Sequence, residues 1–289
     1  MRLTLVAACL ITPLCTSAQQ TINRGMPLDP TAAIRVYNLT GSVTVRGWTR
    51  DSIAVRGTLG KGNQIHMGGS RSGMKMFIEG IDERNPAPAE LELMVPARAK
   101  VWIKTATAGI DVKDVTGSLD LYVVSGDIRV AGDPADVNAE AIDGSISISG
   151  APEWVRAKSA SGNVTFTGST SDISATTVSG KISLNGRQFE KVKAESVTGD
   201  IKFAGAVDRA GIASFDSHSG AVVIALPPKS GADVDAVSIS GTISNQFSNA
   251  KARAGRYGRG ADLVTDVNGG GARIVVRSFK GAIIFEVQK

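Results

Sequence analysis

Between Val124 and Ile239 the apolar positions keep step with single glycines. These are Gly126, Gly144, Gly162, Gly180, Gly199, Gly220 and Gly241, at gaps of 18, 18, 18, 19, 21 and 21 residues. Two and four residues after each glycine from Gly126 to Gly220 the side chains are apolar, as in Ile146 and Ile148, Val164 and Phe166, Ile182 and Leu184. Seven and five residues before it they are apolar again, as in Val137 and Ala139, Val155 and Ala157, Ile173 and Ala175. Alternation with period two marks strands with one buried face. The position two before glycine is also apolar, in Val124, Ile142, Ala160, Val178, Val197 and Ile239, and breaks the alternation where a strand turns a corner. Gly117, nine residues before Gly126, points to a half-unit of nine.

This pattern predicts an all-β protein, a β-helix or β-solenoid of short strands with about 18–21 residues per repeat. A five-residue strand cannot bury its apolar face alone. Stacked at about 4.8 Å, equivalent strands satisfy one another's backbone and align like side chains into ladders. Each buried Val or Ile then contributes roughly 1.5–3 kcal/mol. The corner glycines are expected to supply positive φ, and the Ser or Thr before them (Ser161, Ser179, Thr198, Ser219) to bond locally to the turn. The residue after glycine, Asp127, Ser145, Asn163, Lys181 or Asp200, reads as solvated surface, with Lys181 and Asp200 able to pair across coils.

The template also fits Ile34, Val36, Leu39, Gly41, Val43 and Val45, and again Ile274, Val276, Phe279, Gly281, Ile283 and Phe285. Residues 19–33 therefore read as a lead-in and 34–289 as one repeat domain. Its regularity weakens twice. Residues 57–90 are glycine-rich with Met67, Met74 and Met76, and residues 249–260 form a basic loop.

Residues 1–18 read as a secretory signal: Arg2, the apolar run Leu3 to Leu14, then Thr16-Ser17-Ala18. The run falls short of the roughly 20 apolar residues of a spanning helix, and no later stretch reaches that length. Val6-Ala7-Ala8-Cys9 has the form of a lipoprotein cleavage box, but the apolar stretch before Cys9 is very short. Cys9 and Cys15 are the only cysteines, so residues 19–289 can form no disulfide and no thiolate site. The net charge of +5 is mild and spread along the chain, weak support for an anionic partner.

The string Val45-Arg46-Gly47-Trp48-Thr49-Arg50-Asp51-Ser52-Ile53-Ala54-Val55, then Leu91-Glu92-Leu93-Met94-Val95-Pro96, Val124-Ser125-Gly126-Asp127-Ile128 and Gly269-Gly270-Gly271-Ala272-Arg273-Ile274 resemble the bacterial β-strand-repeat family named "putative adhesin", a domain of unknown function. The resemblance runs from about Ile34 onward. It implies the repeat fold and carries over no catalytic residue. Ala108-Gly109 departs from it, with the turn glycine displaced by one.

Candidate chemistry is sparse. Asp216-Ser217-His218-Ser219 holds triad letters, but neighbours in one strand point to opposite faces. His218 reads as a corner residue replacing an aliphatic. His66 has no metal-ligand spacing around it. Calcium-binding turns need Gly-Gly-x-Gly-x-Asp every nine residues, which is absent. Asp111, Asp120 and Asp127 are the acids a polysaccharide-cleaving β-helix would need, without a second acidic column to reinforce them. The best contact is the basic loop, where Lys251, Arg253, Arg256 and Arg259 with Tyr257 suit phosphate or an acidic sugar. Nucleic acid is not expected for an exported protein without aromatic interleaving.

The sequence therefore predicts a non-enzymatic exported protein of the envelope or cell surface, without cofactor or metal. It is read as an adhesin-like module for an anionic polysaccharide or an envelope protein. The alternatives are a structural or sensory component without a ligand, and a polysaccharide-active enzyme. The register makes a direct prediction. Ile146→Asp buries an unpaired charge and destabilises by about 4 kcal/mol or more, whereas Ser147→Asp, facing out, stays within about 0.5 kcal/mol of the parent. Urea melts followed by circular dichroism measure both, and equal losses would refute the register.

Overall fold

A computed structural model describes residues 20–82, 84–255 and 258–288. The signal segment with its Cys9 box, and Arg256 and Tyr257 of the basic loop, lie outside them. The chain is an all-β solenoid with two strands per coil. Leu91, Val43, Ile110, Ile128, Ile146, Val164, Ile182, Ile201, Val222 and Ile283 stand one above another in parallel register. None is more than 2% exposed. The other face stacks Met74, Ile34, Val101, Leu119, Val137, Val155, Ile173, Val192, Ala213, Ile274 and Val234. Within this core Phe166, Phe189, Phe203 and Phe215 form a chain of tilted rings 5.3–5.9 Å apart.

The corner glycines are needed for a different reason from the one expected. Gly126, Gly144, Gly162, Gly180 and Gly199 are not among the residues with positive φ. A Cβ on Gly162 would instead lie 2.1 Å from the carbonyl oxygen of Gly144 in the coil below. The constraint is close approach of successive coils. Of the corner column Gly41 alone combines close approach with positive φ, at 104°; elsewhere positive φ marks a second glycine column six residues on, where Gly150 has φ 130° and Gly168 has φ 145°.

The corner's polar bonds also differ from expectation. The local bond comes from the residue three before glycine: Ser159 Oγ accepts the Gly162 N–H at 2.9 Å and donates to the Gly144 carbonyl at 2.9 Å. Thr177 and Ser238 accept from Gly180 and Gly241 in the same way. The Ser or Thr just before glycine reaches down a coil, as Thr198 does to Val178 O and Ser219 to Val197 O. The column after glycine is a ladder too. Ser145 N donates to Asp127, Asn163 N to Ser145, Lys181 N to Asn163 and Ala221 N to Asp200. Lys181 and Asp200 serve this ladder; no ion pair between them is found.

The column two before glycine lies outside the core. Leu39, Val124, Ile142, Val178, Val197, Phe279 and Ile239 are 44–55% exposed. Backbone bonds join their coils in the order Leu39, Ala106, Val124, Ile142, Ala160, Val178. His218 and Phe279 continue the line, ring on ring at 4.9 Å.

Chain order and stacking order part at both ends. The coil of Gly281 inserts between those of Gly220 and Gly241, since strand Ile283–Val287 pairs with both Val222–Leu226 and Ile243–Asn245. Arg277 grips both carboxylate oxygens of Asp235 across this insertion, at 3.1 and 2.7 Å. At the other end strand Ala33–Asn38 lies between Gly73–Glu79 and Lys100–Thr105. Residues 57–90, irregular by pattern, hold the strands Gln64–Ser70 and Gly73–Glu79. Antiparallel strands then close the stack: Gln64–Ser70, Gln20–Pro27 and Ser52–Leu59 at one end, Ala261–Val267 at the other. They cover the last apolar rungs with Ile22, Ile53, Val55, Leu59 and Leu263, all buried, and leave less open edge for another chain to pair with. Ala108 occupies the column of Gly41 and Gly126, which accounts for the displaced glycine.

Gly162→Ala should destabilise by about 1–3 kcal/mol, because its Cβ meets backbone that cannot move aside. Gly68→Ala, with no atom within 4 Å of its Cβ, should be neutral or better. Equal urea midpoints for the two would reject the steric account.

Candidate binding surface

The basic loop lies at the end of the stack closed by Ala261–Val267. Asn245 ties it down, accepting the N–H groups of Phe247 and Ser248 and donating to Ala250 O. Lys251, Arg253 and Arg259 are exposed. Strand Arg253–Ala254 pairs with the closing strand, placing Arg253 opposite Asp262. Arg259 rims a hollow of about 450 Å³ together with Val237, Ile239, Gly255 and Asp262.

The triad letters are kept apart in function. Ser217 Oγ donates to Gly220 O, Asp216 accepts from Ser214, and His218 stacks on Phe279. The three candidate acids are engaged in separate contacts: Asp111 with Arg46, Asp120 with Asn138, Asp127 with Arg129 and Ser145 N. No cluster of three or more His, Cys, Asp or Glu able to hold a metal occurs among the described residues.

The opposite end carries what the sequence did not reveal. Outward positions on successive strands bring His66, Phe77, Tyr37, Trp102 and Tyr122 into one strip. Trp102 sits between inward Val101 and Ile103, Tyr122 between Leu121 and Val123, and Tyr37 between buried Val36 and Asn38, so the strand aims each ring outward. Tyr37 and Trp102 are 4.8 Å apart and tilted by 52°, Trp102 and Tyr122 5.7 Å and 43°. His66 stacks on Phe77 at 4.6 Å and its Nε2 meets Glu79 at 2.7 Å. Lys75 Nζ lies 5.0 Å from the Tyr37 ring centre and 5.6 Å from that of Phe77. Arg35 stands between Lys75 and Trp102, and Lys104 between Tyr37 and Tyr122. Five rungs at about 4.8 Å make a strip about 19 Å long.

Such tilted cross-strand pairs stabilise a sheet by about 0.5–1.5 kcal/mol each. Packing alone does not explain their confinement. The following rungs of the same outward column carry Glu140, Lys158, Thr176 and Glu195. The strip interleaves aromatics with cations, removing one of the two grounds on which nucleic acid was set aside; the other is export. It also holds acceptors: Glu79, Asp120, Glu140 and the Asn138 Oδ1, a buried atom without a hydrogen-bond partner. Asn138 Nδ2 donates to Tyr122 Oη at 2.9 Å and to Asp120 at 3.2 Å. Burial raises the Tyr122 pKa, and the charges of Asp120 and Glu140 raise it further, against the Asn138 bond.

The basic loop was legible as a charge run. The strip was not, because Tyr37 and Trp102 become neighbours only through the excursion of residues 49–96 into the end of the stack. The usable signal was an aromatic at an outward strand position, repeated in three units.

Comparison with known proteins agrees with this architecture. The family described as Toastrack DUF4097 matches residues 34–262. No curated protein matches the chain. Among solved structures, one named as a putative lipid binding protein from Parabacteroides distasonis superposes with a TM-score of 0.54 at 12% identity, covering 92% of this chain and 96% of its own. One named as a putative adhesin from Bacteroides fragilis gives a TM-score of 0.48 at 11% identity, covering 93% and 98%. At 12% identity the likeness to the Parabacteroides structure is one of fold.

The raised pKa makes a pH prediction. The fold favours protonated Tyr122, so the stability it contributes is complete below about pH 10 and is lost as pH climbs through the raised value. Ultraviolet titration of the parent against Tyr122→Phe should show one phenol ionising late, and Asp120→Asn should bring it down. A Tyr122 that ionises at the ordinary value would contradict the burial.

Proposed function

The chain belongs to the Toastrack DUF4097 family, and on that footing we propose that it is a non-enzymatic exported module that holds a linear glycan along its aromatic strip. The observation that carries this reading is the run of half-buried rings Phe77, Tyr37, Trp102 and Tyr122, set at strand spacing and open to solvent on one side. A sugar ring offers an apolar C–H face and a rim of hydroxyls. The negative face of an aromatic ring attracts the C–H bonds, and flanking acceptors take the hydroxyls. Glu79, Asp120 and Glu140 are such acceptors. Lys75, Arg35 and Lys104 favour a glycan that also bears carboxylates. The strip thus takes over the role that charge patterning assigned to Lys251, Arg253, Arg256, Tyr257 and Arg259. Export rests on the signal character of residues 1–18, and adhesion fits a rigid rod with its ligand face on one side.

The test is titration with linear polysaccharides, neutral dextran and uronate-rich alginate, read by tryptophan fluorescence and affinity electrophoresis. Trp102→Ala should weaken binding at least tenfold in a chain that keeps the parent circular dichroism, with stability lowered only by the loss of its two aromatic pairs, roughly 1–3 kcal/mol. Arg253→Ala/Arg259→Ala should bind neutral dextran like the parent. Loss of binding in that loop variant alone would move the site to the loop. A thymidine oligomer bound more tightly than alginate would replace a glycan with single-stranded nucleic acid.

A further inference from the structure

The exposed apolar column calls for its own explanation. It runs rung by rung along one corner from Leu39 to Ile239, ten rungs and about 43 Å at strand spacing. Seven side chains left about half exposed present on the order of 600 Å² of apolar surface, the upper end of what monomers leave open. Hydrophobic residues scattered singly need no account, but these share one line. Of the large apolar side chains that are exposed among the described residues, only Ile81, Ile212, Val264 and Val287 lie off it.

We propose that this column is the interface of a homodimer in which two copies pack antiparallel, corner to corner, about a two-fold axis. A straight stripe is complementary to itself under such an axis. The midpoint of the ten rungs falls between Ala160 and Val178. About that point, Ile142 faces the partner's Val197 and Leu39 faces the partner's Ile239. The two smallest side chains meet larger ones: Ala106 faces the partner's Phe279, and Ala160 the partner's Val178. Bumps and gaps therefore match across the axis.

The rims support a second copy over a lipid surface. One flank is a row of neutral hydroxyls, Ser125, Ser161, Ser179, Thr198, Ser219 and Ser240, and Ser161, Thr198, Ser219 and Ser240 are already bonded within the fold. Exposed Asp143 and Lys280 interrupt this row, one acid and one base, so it carries no run of cations for anionic headgroups, and in the antiparallel register neither charge faces its own copy. The other flank carries both signs, Glu140 and Lys158 on successive rungs. At its Phe279 end the column borders an open trough of about 510 Å³ with Val178, Val197 and His218 in its wall. A single acyl chain there would stay half wet, whereas a second corner would cover it. With its hydroxyl rim the stripe approaches the roughly 800 Å² per partner of a stable interface.

The arrangement has a consequence for binding. The hollow rimmed by Arg259 shares Ile239 with the column. Pairing Leu39 with the partner's Ile239 brings the partner's basic loop beside the Tyr37 end of the strip. The two cationic regions, at opposite ends of one chain, meet at each end of the dimer. The dimer itself does not rest on the glycan reading.

Sedimentation equilibrium of the exported chain should show a dimer at micromolar concentration. Ile142→Lys and Val178→Lys, at exposed positions, should keep the parent circular dichroism and urea midpoint while weakening association about a hundredfold or more. The register is read by cysteine pairs, because residues 19–289 contain no cysteine. A mixture of Ile142→Cys and Val197→Cys chains should cross-link under air, and a mixture of Ile142→Cys and Leu39→Cys should not. A monomeric parent, a dimer unmoved by both lysines, or cross-linking without that preference would overturn the proposal. So would a monomer that floats with phosphatidylglycerol vesicles, which would make the column a lipid contact.

Discussion

Successive coils of this protein touch through their backbones, and the corner is where they come nearest. The carbonyl of Gly144 lies where a Cβ on Gly162 would stand, 2.1 Å away. Only glycine allows that approach without positive φ being involved. Once the backbones are that close, the bonds between coils close in sequence. Ser159 bridges the amide above and the carbonyl below, and the residues after glycine pass amide bonds from coil to coil. The interior is a consequence. With the coils held at strand spacing, Ile146, Val164 and Ile182 have no choice but to stack.

The same constraint shapes the surface. A solenoid cannot place one side chain outside without placing its column neighbours beside it, so every outward feature becomes a line. Three lines differ in chemistry. One is the hydroxyl and amide ladder after the corner glycine, spent on holding the coils together. One is the aromatic strip of Tyr37, Trp102 and Tyr122 with Lys75, Arg35 and Lys104 between its rings. One is the aliphatic corner from Leu39 to Ile239. The first is structural, because its partners lie within the fold. The other two turn aromatic and aliphatic groups toward solvent, and on these the proposed glycan and dimer contacts rest.

The ends show how the stack stops. Residues 49–96 and 249–271 leave the repeat, turn antiparallel strands across the last coils and bury Ile53, Val55, Leu59 and Leu263 over the core. These excursions change who neighbours whom. They put strand Ala33–Asn38 beside Lys100–Thr105 and the coil of Gly281 inside that of Gly241. The aromatic strip exists because of the first of these rearrangements.

What the sequence determined by itself was everything local to one coil and repeated in the next: the strands, which of their faces is buried, and the stacking of the regular units from Gly126 to Gly220. Period-two alternation and glycine spacing carry that information because a strand's faces depend only on its own backbone. The basic loop was legible for the same reason, as a run of charges along the chain. The tertiary structure alone decided why the glycines are glycines, the order of the coils at both ends, the exposure of the corner aliphatics and the meeting of His66, Phe77, Tyr37, Trp102 and Tyr122. Those depend on distances between residues far apart along the chain, which no periodicity within one strand can encode.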